Sequence, residues 1–317
     1  MRRVTESLLP SVLMISALLL TGCSSREGTN TGKIKVVATY SVLGDLVRNV
    51  AGDQVELTTL VGGDGDAHTF EPSPKDGVTL AKADLIFENG VGFEAWLDKL
   101  HSASRTNARR VVVSKGLKLL EGEDGHDHKK GEEKHKHDDE HDPHVWHDVG
   151  NATQMVQTIR DELVKADPAH AEVYKANAEA YLRQLRDLDA WVVEQVALVP
   201  EAKRKLVTSH DTFGYFANRY GFKVVGTALA SFSTEASDPS AAEFAKLCEA
   251  IKSANVPAIF AENVQNPKLM KRLASEAGVK LAPPLFTDAL GKEGSDGDTY
   301  LKMMRHNVGI IVTQLKP

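Results

Sequence analysis

Every residue from Asp124 to Asp142 is His, Asp, Glu, Lys or Gly, and five of these nineteen are histidines: His126, His128, His135, His137 and His141. Imidazole is the commonest protein ligand for zinc and its neighbours in the transition series. A run without apolar residues cannot bury a core and is expected to stay disordered, so it reads as a solvated device for meeting metal. A charged surface loop is the bland alternative. The run ends in Asp142-Pro143-His144-Val145-Trp146-His147, where ordinary globular sequence resumes.

Further ligand-capable residues stand where apolar, strand-like runs end. After Val55 to Val61 comes Gly62-Gly63-Asp64-Gly65-Asp66-Ala67-His68, whose glycines permit a tight excursion that presents His68. His144 follows the histidine tract. His210 closes Thr208-Ser209-His210, and Asp288 lies in Phe286-Thr287-Asp288-Ala289-Leu290-Gly291. Parallel sheets bind ligands beyond the carboxyl ends of their strands. Each half of the chain then supplies two ligands, bringing three imidazoles and one carboxylate to a cleft. Any one of the four, taken singly, reads as a hydrogen-bonded structural residue; the set does not. His147 could compete as a ligand, but His144 is preferred because it alone follows the Asp-Pro turn. Glu262 and Asn263, also at a strand end, read as hydrogen-bonded support for the ligands or as caps of a helix near Pro267. His101, His170 and His306 read as solvated.

Strand-like and helical runs alternate along the chain. Strand-like runs at 34–41, 55–61, 84–88 and 110–114 form one group, and runs at 206–209, 223–228, 258–261 and 279–282 a second. Helical patterns intervene, among them 43–51, 74–83, 93–100 and 240–254. This alternation predicts an α/β protein of two lobes, at 33–172 and 200–317, each with a parallel sheet flanked by helices. Ser73-Pro74-Lys75-Asp76 is a strong helix start. Between the groups, Tyr174, Ala178, Tyr181, Leu182, Leu185, Leu188, Val192 and Val196 share one helical face, predicting a long rigid linker helix over 173–199 closed by Pro200. Its apolar stripe is core, not a site.

The amino terminus says where metal is met. Arg2 and Arg3 precede an apolar stretch from Leu8 to Leu20, too short to span a membrane and right for a signal peptide. Leu20-Thr21-Gly22-Cys23-Ser24-Ser25 resembles a bacterial lipobox, which implies cleavage after residue 22, lipid on Cys23 and a flexible tether over 23–32. About 295 residues remain, comfortable for two domains. The net charge of -6 argues against nucleic acid as a partner. Cys248 is the only other cysteine, so the mature chain has no intrachain disulfide; its spacing with Phe244 and Ile251 marks it as a buried small hydrophobe.

The motifs Asp-Ala-His-Thr-Phe-Glu-Pro-Ser-Pro around His68, Asp-Pro-His-Val-Trp around His144, Thr-Ser-His-Asp-Thr-Phe-Gly-Tyr-Phe around His210 and Phe-Thr-Asp-Ala-Leu-Gly around Asp288 occur in this order over nearly the whole mature chain. In combination they resemble the cluster A-I (cluster 9) substrate-binding lipoproteins of bacterial ABC importers for zinc and manganese. The resemblance implies that His68, His144, His210 and Asp288 are the metal ligands. It also implies two lobes joined by one long helix, an ABC permease in the cytoplasmic membrane as partner, and a monomer held in the cell envelope by its lipid. Zinc-binding members often carry a histidine-rich loop just before the Asp-Pro-His motif, as here, though this one is short and mixed with lysines.

Three imidazoles and a carboxylate make a borderline-soft, four-coordinate set that suits zinc, whereas manganese prefers more oxygen ligands. Manganese importers of the family often place Glu where His210 stands, yet some three-histidine members handle manganese, which stays as the alternative. A zinc hydrolase on the same residues is a second class, but four ligands close the site to water, and neither a serine nucleophile elbow nor a His-Glu-x-x-His motif occurs. An adhesin with a structural metal is a third.

Overall fold

A computed structural model of the chain describes residues 1, 32–121 and 141–317. Cys23, the signal sequence and most of the histidine tract, including His126, His128, His135 and His137, lie outside the described residues.

The first group of apolar runs forms four parallel strands, β1 (Lys35–Tyr40), β2 (Glu56–Val61), β3 (Leu85–Glu88) and β4 (Arg109–Val112), in the order β2-β1-β3-β4. Strand β3 is buried at every position and β1 at all but its first, as a strand covered on both faces requires. The chain leaves β1 toward β2 on one side and reaches β3 on the other. The loops therefore diverge beyond the carboxyl ends of β1 and β3, which opens a crevice there. Helices α1 (Ser41–Ala51), α2 (Pro74–Ala81) and α3 (Leu97–Ser104) follow the first three strands. Ser73 and Asp76 form the expected capping box at the start of α2. Helix α3 starts later than its apolar spacing predicts. The Glu94 carboxylate accepts from the backbone N–H of Asn89 and of Gly90, and this holds the preceding residues in a turn.

The second group gives two parallel ladders, β5 (Lys205–Thr208) with β6 (Lys223–Thr227) and β7 (Ala258–Glu262) with β8 (Lys280–Leu285). Each carries one register shift. Strand β8 runs through Pro283 and Pro284, past the end that those prolines suggest, because a strand with a free edge tolerates the missing N–H.

Helix α4 (Val149–Ala166) leads into α5 (Ala171–Val196), whose 26 residues span about 39 Å. The eight apolar residues of the α5 stripe are all buried. They pack against α1, α4 and the last helix, α9 (Tyr300–Leu315). The largest apolar core joins residues of both halves, from Val36 and Tyr40 to Phe260, Leu285 and Met303. Lys33–Pro317 is one compact unit. Helices α6 (Gly214–Tyr220), α7 (Ala241–Ser253) and α8 (Lys268–Ala277) complete the second half, with Cys248 buried on α7. Among the described residues no helix is long and apolar enough to cross a membrane.

Candidate metal centre

All four expected ligands meet. His68, His144, His210 and Asp288 each offer one ligand atom, and these atoms lie within 4.8 Å of one another. The Nε2 atom of His144 is 3.4 Å from Nε2 of His68 and 3.3 Å from Nε2 of His210. Asp288 Oδ2 is 3.0 Å from His210 Nε2 and 3.6 Å from His68 Nε2, and Oδ1 is 3.5 Å from His144 Nε2. Zinc bonds to nitrogen and oxygen of about 2.0–2.1 Å would place tetrahedral ligand atoms about 3.3–3.4 Å apart. The five separations given above, from 3.0 to 3.6 Å, lie around that figure, while the full set spreads to within 4.8 Å.

His68 stands on the loop after β2. Its backbone N–H donates to Asp66 Oδ1 at 2.9 Å, and the Phe93 ring meets its imidazole edge-on at 4.7 Å. The loop is pinned to the second half of the chain at Asp64, whose N–H donates to the Leu290 carbonyl at 2.7 Å. A side chain at Gly63 would come within 2.5 Å of the Gly291 carbonyl, so this close approach requires glycine.

His144 is held from behind by Asp142, which accepts from its backbone N–H at 2.9 Å and lies 2.8 Å from its Nδ1. Gly214 makes room for that carboxylate, since a Cβ there would sit 2.5 Å from Asp142 Oδ2. Asn89 donates to the Pro143 carbonyl, and Trp146 donates to the carbonyl of Thr287, next to Asp288.

His210 follows β5. Its Nδ1 lies 2.5 Å from Glu262 Oε2, while Glu262 Oε1 accepts from the backbone N–H of Ser209 and of His210. Asn263 accepts from the Thr287 N–H and donates to the Ala289 carbonyl, bracketing Asp288; it also donates to Asp64. A carboxylate behind the imidazoles of His144 and His210 keeps Nδ1 protonated and turns the Nε2 lone pair toward the centre.

His144, His210 and Asp288 are fully buried, and His68 is partly so. Burial pulls the His68 imidazole down to about 3, against the pull of the Asp288 carboxylate. Burial acts the same way on His210, but the Glu262 and Asp288 carboxylates outweigh it and hold that ring well above its ordinary value. Burial would raise the Asp288 carboxyl, yet His210 and His144 more than offset it and keep it below the usual carboxylate range. Without a cation, the centre thus keeps a proton on His210 facing Asp288. A dication held by these residues would take the place of that proton.

The structure sets His147 apart from this group. Its ring stacks on Phe213 with centroids 4.6 Å apart, and neither ring nitrogen has a hydrogen-bond partner among the described residues. The histidines read as solvated are half-buried instead: His170 pairs with Asp167, and His306 lies against Phe286 and the Pro284 carbonyl. The orienting role of Asp142 was hidden in the Asp-Pro turn signal. Glu262 and Asn263 do support the centre, as their place at a strand end suggests.

Residues 36–314 match the family described as "ZnuA: Zinc-uptake complex component A periplasmic". The chain is 36% identical over 309 residues to the manganese-binding lipoprotein MntA of Halalkalibacterium halodurans, covering 96% of this chain and 97% of that one. It is 32% identical over 314 residues to the manganese ABC transporter substrate-binding lipoprotein PsaA of Streptococcus anginosus, with 96% and 97% covered. Among solved structures, the periplasmic zinc binding protein TroA of Treponema pallidum superposes with a TM-score of 0.79 at 32% identity, covering 90% of this chain and 100% of that one. A manganese-bound periplasmic metal binding protein of Candidatus Liberibacter asiaticus does so with a TM-score of 0.77 at 26% identity, covering 89% and 100%. The chain therefore belongs to this ZnuA family.

Proposed function

We propose that this chain captures a divalent metal ion between His68, His144, His210 and Asp288, outside the cytoplasmic membrane, and hands it to the permease of an ABC importer. The observation that carries this reading is the convergence of three imidazole nitrogens and one carboxylate on a single point, with carboxylates behind two of the rings. The family and the relatives named above are transport components rather than enzymes. Residues 33–172 and 200–317 serve as the two lobes around the cleft, with α5 as the stiff element between them. Lipid on Cys23 is the anchor, a reading supported by the lipobox-like sequence and by relatives named lipoproteins.

Zinc is the cargo this donor set favours, because three imidazoles and one carboxylate match its ligand preferences. Manganese is the second reading, favoured by the names of MntA and PsaA. The test is to strip the purified chain with a chelator, offer zinc and manganese together at equal concentration, and measure the retained metal by elemental analysis. One zinc per chain is expected, and it should be lost when His144 and Asp288 are both replaced by Ala. Retention of manganese instead would overturn the choice of zinc. Tight metal that survives both replacements would overturn the site.

A further inference from the structure

One short segment after β6 touches three of the four ligand positions. Its start is tied to the backbone that carries His210: the Leu229 N–H donates to the Ser209 carbonyl at 2.7 Å, and the Asp211 N–H donates to the Ser231 carbonyl at 3.0 Å. Its middle places the Phe232 ring 6.4 Å from the ring of His144. Its end reaches the other half of the chain. There the Thr234 hydroxyl donates to Asp66 Oδ2 at 2.6 Å, and Asp66 Oδ1 accepts from the backbone N–H of His68 at 2.9 Å. Asp66 is thus a two-sided acceptor, with the His68 loop on one oxygen and the His210 side of the centre on the other.

His68 is the ligand for which such a tie matters most. It is the only one of the four not fully buried, and it rides on a loop rather than against a strand end. His144 and His210 each have a carboxylate behind the ring. The His68 loop is pinned at Asp64 and at the Ala67 carbonyl, which accepts from Trp96, and the backbone N–H of His68 itself is held by Asp66, and so by whatever fixes Asp66.

We propose that Thr234 is a positioning residue: by donating to Asp66 it holds the His68 loop against the bound ion and sets how long the ion stays. This rests on the metal-site reading above. Arrival does not need the bond, because the ion can meet the ligands on the second half of the chain first. Departure does, because the His68 imidazole cannot swing away until Asp66 lets go of the segment after β6.

The test is a chelator chase of the zinc-loaded chain, following metal release with time for the natural sequence, Thr234→Val and Thr234→Ser. Valine keeps the shape of threonine and removes the donor; serine keeps the donor and removes the methyl. Loss of one hydrogen bond to a carboxylate at a half-buried site is expected to speed release about tenfold. Thr234→Val should therefore release zinc about that much faster, with an unchanged association rate. Thr234→Ser should release it at the natural rate. Equal release from the natural chain and Thr234→Val overturns the proposal, as does fast release from both variants, which would assign the effect to packing of the methyl group. A natural chain that retains no zinc overturns this proposal and the metal-site reading together.

Discussion

His210 Nδ1 lies 2.5 Å from Glu262 Oε2, and the same carboxylate takes the backbone N–H of His210 on its other oxygen. One side chain thereby fixes the ring, its tautomer and the turn that carries it. Carboxylates behind metal-bound imidazoles raise ligand basicity, and their loss typically costs about 10- to 100-fold in affinity. Glu262→Gln keeps the shape but exchanges a charged acceptor for a neutral amide. We expect metal affinity to fall within that range, measured by competition with a chromogenic chelator, and a smaller loss from Asn263→Ala.

Metal binding should displace protons above the pH at which free histidine titrates. The carboxylates of Glu262 and Asp288 hold His210 above its ordinary value despite burial, so the metal-free site carries a proton there at neutral pH. His68, pulled down to about 3 by burial, is already neutral and releases none. Near pH 7.5, titration calorimetry in two buffers of different ionisation enthalpy should report about one proton released per metal bound. Affinity should weaken as pH falls below the raised value of His210, and so already above the ordinary histidine range. Release of no proton at pH 7.5 would contradict the arrangement around His210.

His147 gives a prediction about stability instead of binding. Burial pulls its imidazole from 6.5 down to about 3. The unfolded chain therefore binds a proton at this position between those values and the folded chain does not. By linkage, stability is lost as pH falls below 6.5. Both ring nitrogens also lack partners among the described residues, an arrangement that costs about 1 kcal/mol or more. His147→Leu should raise the melting temperature of the metal-free chain by a few degrees at pH 8 and by more at pH 5. Metal affinity should stay nearly unchanged.

What was legible in the sequence follows from which signals are local. His68, His144, His210 and Asp288 each close an apolar run or a turn, and a parallel sheet sends all such ends to one crevice. The α5 stripe was readable residue by residue because 3.6-residue spacing survives any tertiary context. The Asp-Pro turn marks His144 over His147 in the sequence, but the direction of each ring comes from the fold, which turns His144 toward Asp288 and stacks His147 on Phe213. The division of the second group into two ladders was equally hidden, because strand pairing depends on register between distant segments. Helix α3 was placed too early because Phe93 and Trp96 satisfy a helical pattern, while the Glu94 carboxylate overrides it locally.

Metal choice should turn on position 210. His210→Glu swaps a nitrogen donor for hard oxygen and allows bidentate coordination, which favours manganese relative to zinc. The zinc-to-manganese affinity ratio is the informative quantity and should fall. Glu262 would then face a second buried carboxylate, so the same substitution combined with Glu262→Gln is the cleaner comparison. His144→Ala should weaken both metals strongly by opening the site.

The metal position can be seen by anomalous diffraction at the zinc edge from crystals of the metal-loaded chain. One dominant peak is expected among the described residues. Nε2 of His68, His144 and His210 and a carboxylate oxygen of Asp288 should each lie about 2.0–2.2 Å from it. A dominant peak elsewhere, or one that His147 coordinates in place of His144, would contradict this ligand set.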